Sequence, residues 1–233
     1  MAKQCLRFYI IITVEGLREF LLIGIMNIDN TLSRLRQFKS VQNNNGELKM
    51  PLKDNTKLQS LIKEKALIIE DNGQFELASG DKSNYFFDMK LVSMDPEGSE
   101  LIANAILELL KNEDVDYIGG LESGAIPIAT VVANKSLQIK KPIPAFFVRK
   151  TPKERGTKKM IEGNLTENSK VVLVEDVTTK GESVILAVRR VRELNCRVDK
   201  VITIVDRLAG AKENLEKENI ELVSIFTKND FNL

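Results

Sequence analysis

The chain contains no histidine. No side chain therefore titrates near neutrality in its ordinary state. Serine–histidine triads, imidazole acid/base catalysis and most metal-ligand clusters are excluded. Only two cysteines occur, Cys5 and Cys196, far apart and outside any CxxC pattern. A disulfide framework or zinc site is not expected, and a reducing, cytoplasmic setting fits. Neither charge sign dominates, with 34 basic residues against 33 acidic. A general nucleic-acid binder is not expected, and any basic site must be local. A run of the roughly 20 apolar residues needed to span a membrane is also missing. The apolar stretch 6–28 is interrupted by Arg7, Glu15, Arg18 and Glu19, and it offers no small-residue cleavage site. Chemistry in this chain must rest on carboxylates, lysines, arginines, hydroxyls and backbone amides.

The 233 residues suit one domain with an appendage. Residues 1–49 read as an N-terminal extension, either outside the natural start, an accessory helix or an interfacial segment. Residues 50–233 read as the functional domain. Asp54–Ala66 has helical spacing, with Leu58, Leu61 and Ile62 on one face. Phe75–Leu77 and Tyr85–Asp88 read as strands around a loop at 79–84. Asp95 and Pro96 form a cap and first turn for a helix. Strands at 115–118, 143–149, 171–174, 200–205 and 221–226 then alternate with helices at 125–133, 181–194 and 209–218. Lys150–Asn164 reads as a polar loop. Such alternation predicts an α/β fold with right-handed βαβ units on a mostly parallel central sheet flanked by helices. Ligands on such sheets bind at the carboxyl ends of the strands.

The most informative segment is Val171-Val-Leu-Val-Glu-Asp-Val-Thr-Thr-Lys-Gly-Glu-Ser183. Four apolar residues make a buried strand, and Glu175 and Asp176 end it. Thr178 to Ser183 then turns into a helix. Hydroxyls, amides and a helix N-terminus together suit a phosphate monoester. Two carboxylates beside a phosphate cradle would repel the phosphate itself, but they suit sugar hydroxyls and a positive charge developing on a ribose. This stretch resembles the ribose-phosphate signature of the type I phosphoribosyltransferases. That resemblance implies their fold, with a small N-terminal hood at about 54–94 and a core at about 95–227. It implies 5-phosphoribosyl 1-pyrophosphate (PRPP) as a ligand of Glu175, Asp176, Val177, Thr178, Thr179, Lys180, Gly181, Glu182 and Ser183. Lys180 stands where the family has a small residue; it is either strained, if the turn needs a positive φ, or a further phosphate contact.

The segment Arg149-Lys-Thr-Pro-Lys-Glu-Arg-Gly-Thr-Lys-Lys159 concentrates six basic residues around one acid, Glu154. Closed over a departing pyrophosphate, such a lid would neutralise charge and exclude water. It resembles the mobile loop of orotate phosphoribosyltransferases through Arg149, Lys150, Lys153, Gly156 and the ending Ile161-Glu-Gly163. Arg155 occupies the family's histidine position, so it keeps charge without exchanging protons. By resemblance Lys153, Asp176 and Arg155 are the catalytic candidates, and Arg149, Lys150 and Lys153 bind PRPP.

Three further segments match in order. Gly73–Asp88 resembles the hood, with Phe86, Phe87 and Lys90, on one strand face with Asp88, as base contacts. Gly119-Gly-Leu-Glu-Ser-Gly-Ala-Ile-Pro127 offers backbone amides to pyrophosphate. Arg207, in Ile204-Val-Asp-Arg-Leu-Ala-Gly210, matches the family's orotate-carboxylate arginine, and Thr179 lies near the ring edge. The resemblance implies Mg²⁺ carried by PRPP with no direct protein ligand, and a homodimer with shared active sites. A different acceptor base, and a non-catalytic regulator that senses PRPP, are the alternatives.

Overall fold

In the computed structural model, the described residues are 55–70, 75–76, 82–152 and 159–233, within the unit from Lys53 to Leu233. Helix α1 (Thr56–Lys65) buries Leu58 and Ile62. Strand β1 (Leu67–Ile69) follows and pairs antiparallel with β4 (Tyr85–Phe87), while β2 (Phe75–Glu76) pairs with β3 (Lys82–Ser83). Neither β1 nor β3 is visible in the sequence pattern. Two or three residues show no period, and only pairing with a partner strand defines them.

Two helices lead into the core, α2 (Lys90–Ser93) and α3 (Pro96–Leu109). The Asp95 carboxylate accepts hydrogen bonds from the amides of Glu97 and Gly98, as the capping motif predicts. Then come β5 (Tyr117–Gly119), α4 (Ala125–Gln138), β6 (Phe146–Val148) and β7 (Ile161–Gly163). The chain closes with β8 (Lys170–Thr178), α5 (Glu182–Arg192), β9 (Arg197–Asp206), α6 (Ala211–Glu216), β10 (Glu221–Thr227) and a 3₁₀ turn, Lys228–Phe231.

The central sheet is parallel, in the order β10-β9-β8-β5. Single parallel bridges, Ile118 to Ala145 and Leu121 to Val148, bring β6 alongside β5. Period-two alternation in β8 feeds two cores. Val172 and Val174 pack with α3 and α4 residues such as Ile106 and Ile128. Val171 and Leu173 pack with Val184 and Val188 of α5. A strand buried on both faces is what the continuous apolar run requires.

Several boundaries differ from the sequence expectation. Helix α4 continues to Gln138, because Val132 and Ser136 stay buried on its inner face. Residues 150–164 are not loop throughout, since β7 returns to pair antiparallel with β6. The basic segment is thus mounted on a hairpin, closed where the Arg149 amide donates to the Met160 carbonyl at 2.8 Å. Helix α6 stops two residues short at each end, and Leu194 lies just beyond α5.

Aromatic rings tie the N-terminal strands to the core. Phe87 is 4% exposed. It meets the Phe231 ring at 5.2 Å, and Phe231 meets Phe226 at 5.8 Å, both edge-to-face. Truncating such a ring leaves an unfilled cavity. Phe87→Ala is expected to lower unfolding free energy by about 3–5 kcal/mol in urea titrations, a loss that a surface-exposed ring would not produce.

Candidate active site

The carboxyl end of β8 is richer in polar burial than a strand terminus alone would be. The strand does not end at its acids. Glu175, Asp176 and Thr178 lie inside it, because β9 runs equally far and pairs through Thr178 to Asp206. Glu175 is 7% exposed. Its Oε1 accepts from the Asp176 amide at 3.3 Å. Its Oε2 is buried without a hydrogen-bond partner among the described residues. Burial, and then the adjacent Asp176 charge, push this carboxyl well above its usual range, against a weaker pull from Lys150.

Asp176 faces the turn between β5 and α4. A Cβ on Gly124 would sit 2.6 Å from the Asp176 carboxylate, so any larger residue there would force that carboxylate to move. The Val177 amide donates to Asp176 Oδ1 at 2.8 Å. The turn is fastened to the base of the basic hairpin. Glu122 donates its amide to the Val148 carbonyl at 2.9 Å, and its Oε1 accepts from the Lys150 amide at 2.9 Å. The acidic pair, the Gly119–Pro127 turn, Arg149 and Lys150 therefore converge.

Past β8 the chain turns into α5. Gly181 takes the left-handed φ of +79°, so the strain left open for Lys180 falls on glycine instead. The Lys180 carbonyl accepts from Asn214 Nδ2 at 2.9 Å, which pins the turn to α6. Glu175, Val177, Thr178, Thr179, Lys180, Gly181, Glu182 and Ser183 line a cavity of about 90 Å³, together with Val184. It opens at the first turn of α5, where backbone amides have no intrahelical partner.

Arg207 follows directly on β9, bonded to Thr178 of the cavity wall. Its amide donates to the Thr178 carbonyl at 2.9 Å, and the residue is 6% exposed. Nη2 donates to Ser83 Oγ at 2.7 Å, and the guanidinium carbon lies 4.2 Å from the centroid of the Tyr85 ring. Asp206 Oδ1 accepts from Thr178 Oγ1 at 3.3 Å and from the Leu208 amide at 2.9 Å. Sequence reasoning alone does not single out Ser83 or Tyr85. Only the fold brings a residue 124 positions away against them.

Two base-contact expectations need correction. Phe87 belongs to the core, since the pleat of β4 turns it inward against Phe231. Phe86 is half-buried, its ring 5.8 Å from Phe75. Lys90 is not on a strand with Asp88 but opens α2. The chain bends at Met89, and Lys90 Nζ pairs with Asp88 at 2.8 Å. That bond, with the Asp88 and Asp176 charges, raises the Lys90 pKa against partial burial. Lys153 and Arg155 lie outside the described residues.

A phosphoribosyl transferase domain model matches residues 95–229. The orotate phosphoribosyltransferase of Methanocaldococcus jannaschii is 51% identical over 172 residues, covering 74% of this chain and 93% of that protein. The chain belongs to the orotate phosphoribosyltransferase family. The Aquifex aeolicus orotate phosphoribosyltransferase is 44% identical over 177 residues, 76% of this chain and 97% of its own length. A solved orotate phosphoribosyltransferase of Mycobacterium tuberculosis, in complex with 5-phospho-α-D-ribosyl 1-diphosphate, aligns at a TM-score of 0.64 and 31% identity. That alignment covers 77% of this chain and 99% of the other. The type I phosphoribosyltransferase fold expected from the β8–α5 signature is thus the fold observed.

Glu175 gives a pH test with a definite sign. Its raised folded-state pKa means that its neutral form is favoured by folding. That contribution is complete below the ordinary glutamate value of 4.5 and is lost as pH rises through the elevated value. Glu175→Gln cannot ionise. Its unfolding free energy should gain on the wild type as pH rises, in urea titrations from acid to alkaline buffer. A difference independent of pH would contradict the assignment.

Proposed function

We propose that the chain transfers ribose 5-phosphate from PRPP to orotate, giving orotidine 5′-monophosphate and pyrophosphate, a step of pyrimidine biosynthesis. One observation carries this reading beyond family membership. The phosphate-sized cavity at the start of α5 and the buried Arg207 guanidinium are joined directly, through the Thr178 carbonyl and the Arg207 amide. A single strand pair therefore spaces a phosphate site from a planar-carboxylate site.

The 5′-phosphate sits in the turn Thr178–Ser183, on backbone amides and hydroxyls. Glu175 and Asp176 accept from the ribose hydroxyls and steady the positive charge that grows on the sugar. Thr179 borders the ring edge of the base, Phe86 covers it, and Arg207 binds its carboxylate in the bidentate manner open to guanidinium. Lys90, exposed and paired with Asp88, reaches toward the ligand. Arg149, Lys150, Lys153 and Arg155 close over pyrophosphate as the bond to carbon 1 breaks and a ring nitrogen takes its place. No step requires a proton carrier with a neutral pKa, so a chain without histidine suffices.

Asp176, half-buried beside the 119–124 turn, suits a hard cation held by PRPP oxygens and water. Mg²⁺ bound this way would neutralise part of the pyrophosphate charge. Among the described residues no helix is long and apolar enough to cross a membrane. We place the enzyme in the cytoplasm, as a homodimer in which the basic hairpin serves the neighbouring site.

The deciding experiment is spectrophotometric loss of orotate with PRPP and Mg²⁺. Orotate should be consumed, and a panel of purine bases should not be. PRPP binding without turnover of any base would instead favour a regulator. Lys153→Ala should lower kcat about a hundredfold or more while its melting temperature holds. Equal loss of folding and activity would contradict its role.

A further inference from the structure

We propose that Ser83 and Tyr85 are positioning residues, which fix the Arg207 guanidinium in the orientation that receives a planar carboxylate and so set affinity for the base. This rests on the reading of Arg207 as the carboxylate-binding group. An arginine side chain has several free torsions, and an unfixed fork binds a carboxylate weakly because ordering it costs entropy. Here the fork is fixed from two directions.

Ser83 holds one edge. Its Oγ accepts from Arg207 Nη2 at 2.7 Å and from the Tyr85 amide at 3.2 Å, and donates to the Tyr85 carbonyl at 2.8 Å. A hydroxyl offers one donor and two acceptor sites, so all three are engaged and the group cannot swing away. Tyr85 holds the face. The guanidinium carbon lies over its ring, 4.2 Å from the centroid. A guanidinium held over a ring still has N–H groups to offer a ligand. The platform is itself braced, since the Tyr85 ring packs edge-on to Phe87 at 5.8 Å, and Phe87 is core.

Charge supports the same assignment. Arg207 has no carboxylate partner among the described residues, although it is 6% exposed. The adjacent Asp206 is engaged by Thr178 and Leu208 instead. A buried cation without a counter-charge is costly, and an anionic ligand supplies what is missing.

The test is steady-state kinetics on the full chain with Ser83→Ala, Tyr85→Leu and the conservative Ser83→Thr and Tyr85→Phe. The two disruptive changes should raise KM for orotate about tenfold and leave KM for PRPP within about twofold, as expected for loss of one charge-assisted contact. Tyr85→Phe keeps the ring face and should stay near wild type. Unchanged orotate KM, or equal rises for both substrates, would overturn the proposal. If Tyr85→Leu does not fold, Ser83→Ala and Ser83→Thr decide it. A wild type that consumes no orotate defeats the functional reading and this inference together. An active wild type whose disruptive variants keep their orotate KM defeats the inference alone.

Discussion

A glutamate carboxyl taken out of water with one oxygen unpaired is the constraint around which this molecule is arranged. Desolvating Glu175 opposes folding, and a fully apolar residue there would pack at lower cost. The cost is confined to one edge of the sheet. Among the buried polar residues, Glu175, Thr178, Asp206 and Arg207 all lie at the carboxyl ends of β8 and β9. Below that edge the buried positions of the same two strands are Val, Leu and Ile, apart from Thr203. The apolar body of the sheet supplies the stability, and its rim holds Glu175 Oε2, which has no hydrogen-bond partner among the described residues.

The rim is held from both sides. The Gly119–Pro127 turn presses on Asp176 through Gly124, while Ser83 and Tyr85 press on Arg207. Neither set of contacts is local in sequence. Each depends on the core being assembled, through α4 on one side and the Phe87–Phe231–Phe226 rings on the other. Stability and site geometry are therefore linked through packing that touches no ligand.

What could be read in advance follows the length over which a signal repeats. The run Val171–Val174 and the spacing of Val184, Val188 and Val191 announce a buried strand and an amphipathic helix without ambiguity. The phosphate turn is legible for the same reason, because strand, acids, hydroxyls, glycine and helix are consecutive. The hood is not. Its strands run two or three residues, and their register exists only against one another. Phe86 and Phe87 show the difficulty in miniature. Adjacent and chemically identical, they are divided by the pleat of β4, Phe86 against Phe75 and Phe87 into the core. The length of β8 was also hidden, since acidic residues usually mark a strand's end; here β9 continues alongside and keeps the pairing intact past them.

The two cationic devices of the site are mounted in opposite ways, and the chemistry explains the difference. In the proposed reaction Arg207 distinguishes a carboxylated base from others before bond breaking, and discrimination requires a fork already in place. Burial, stacking and a saturated hydroxyl provide that rigidity. Pyrophosphate needs its counter-charge only while the bond to ribose is breaking, and it must afterwards leave. Arg149 and Lys150 accordingly stand just past β6, at the base of a two-stranded hairpin closed by the Arg149 amide on the Met160 carbonyl and joined to the β5–α4 turn through Val148 and Glu122. A permanently closed cation cluster would bind the product as tightly as the transition state, and so gain nothing in turnover. On the proposed reading, one fixed and one closing positive group let a chain without histidine separate recognition from release.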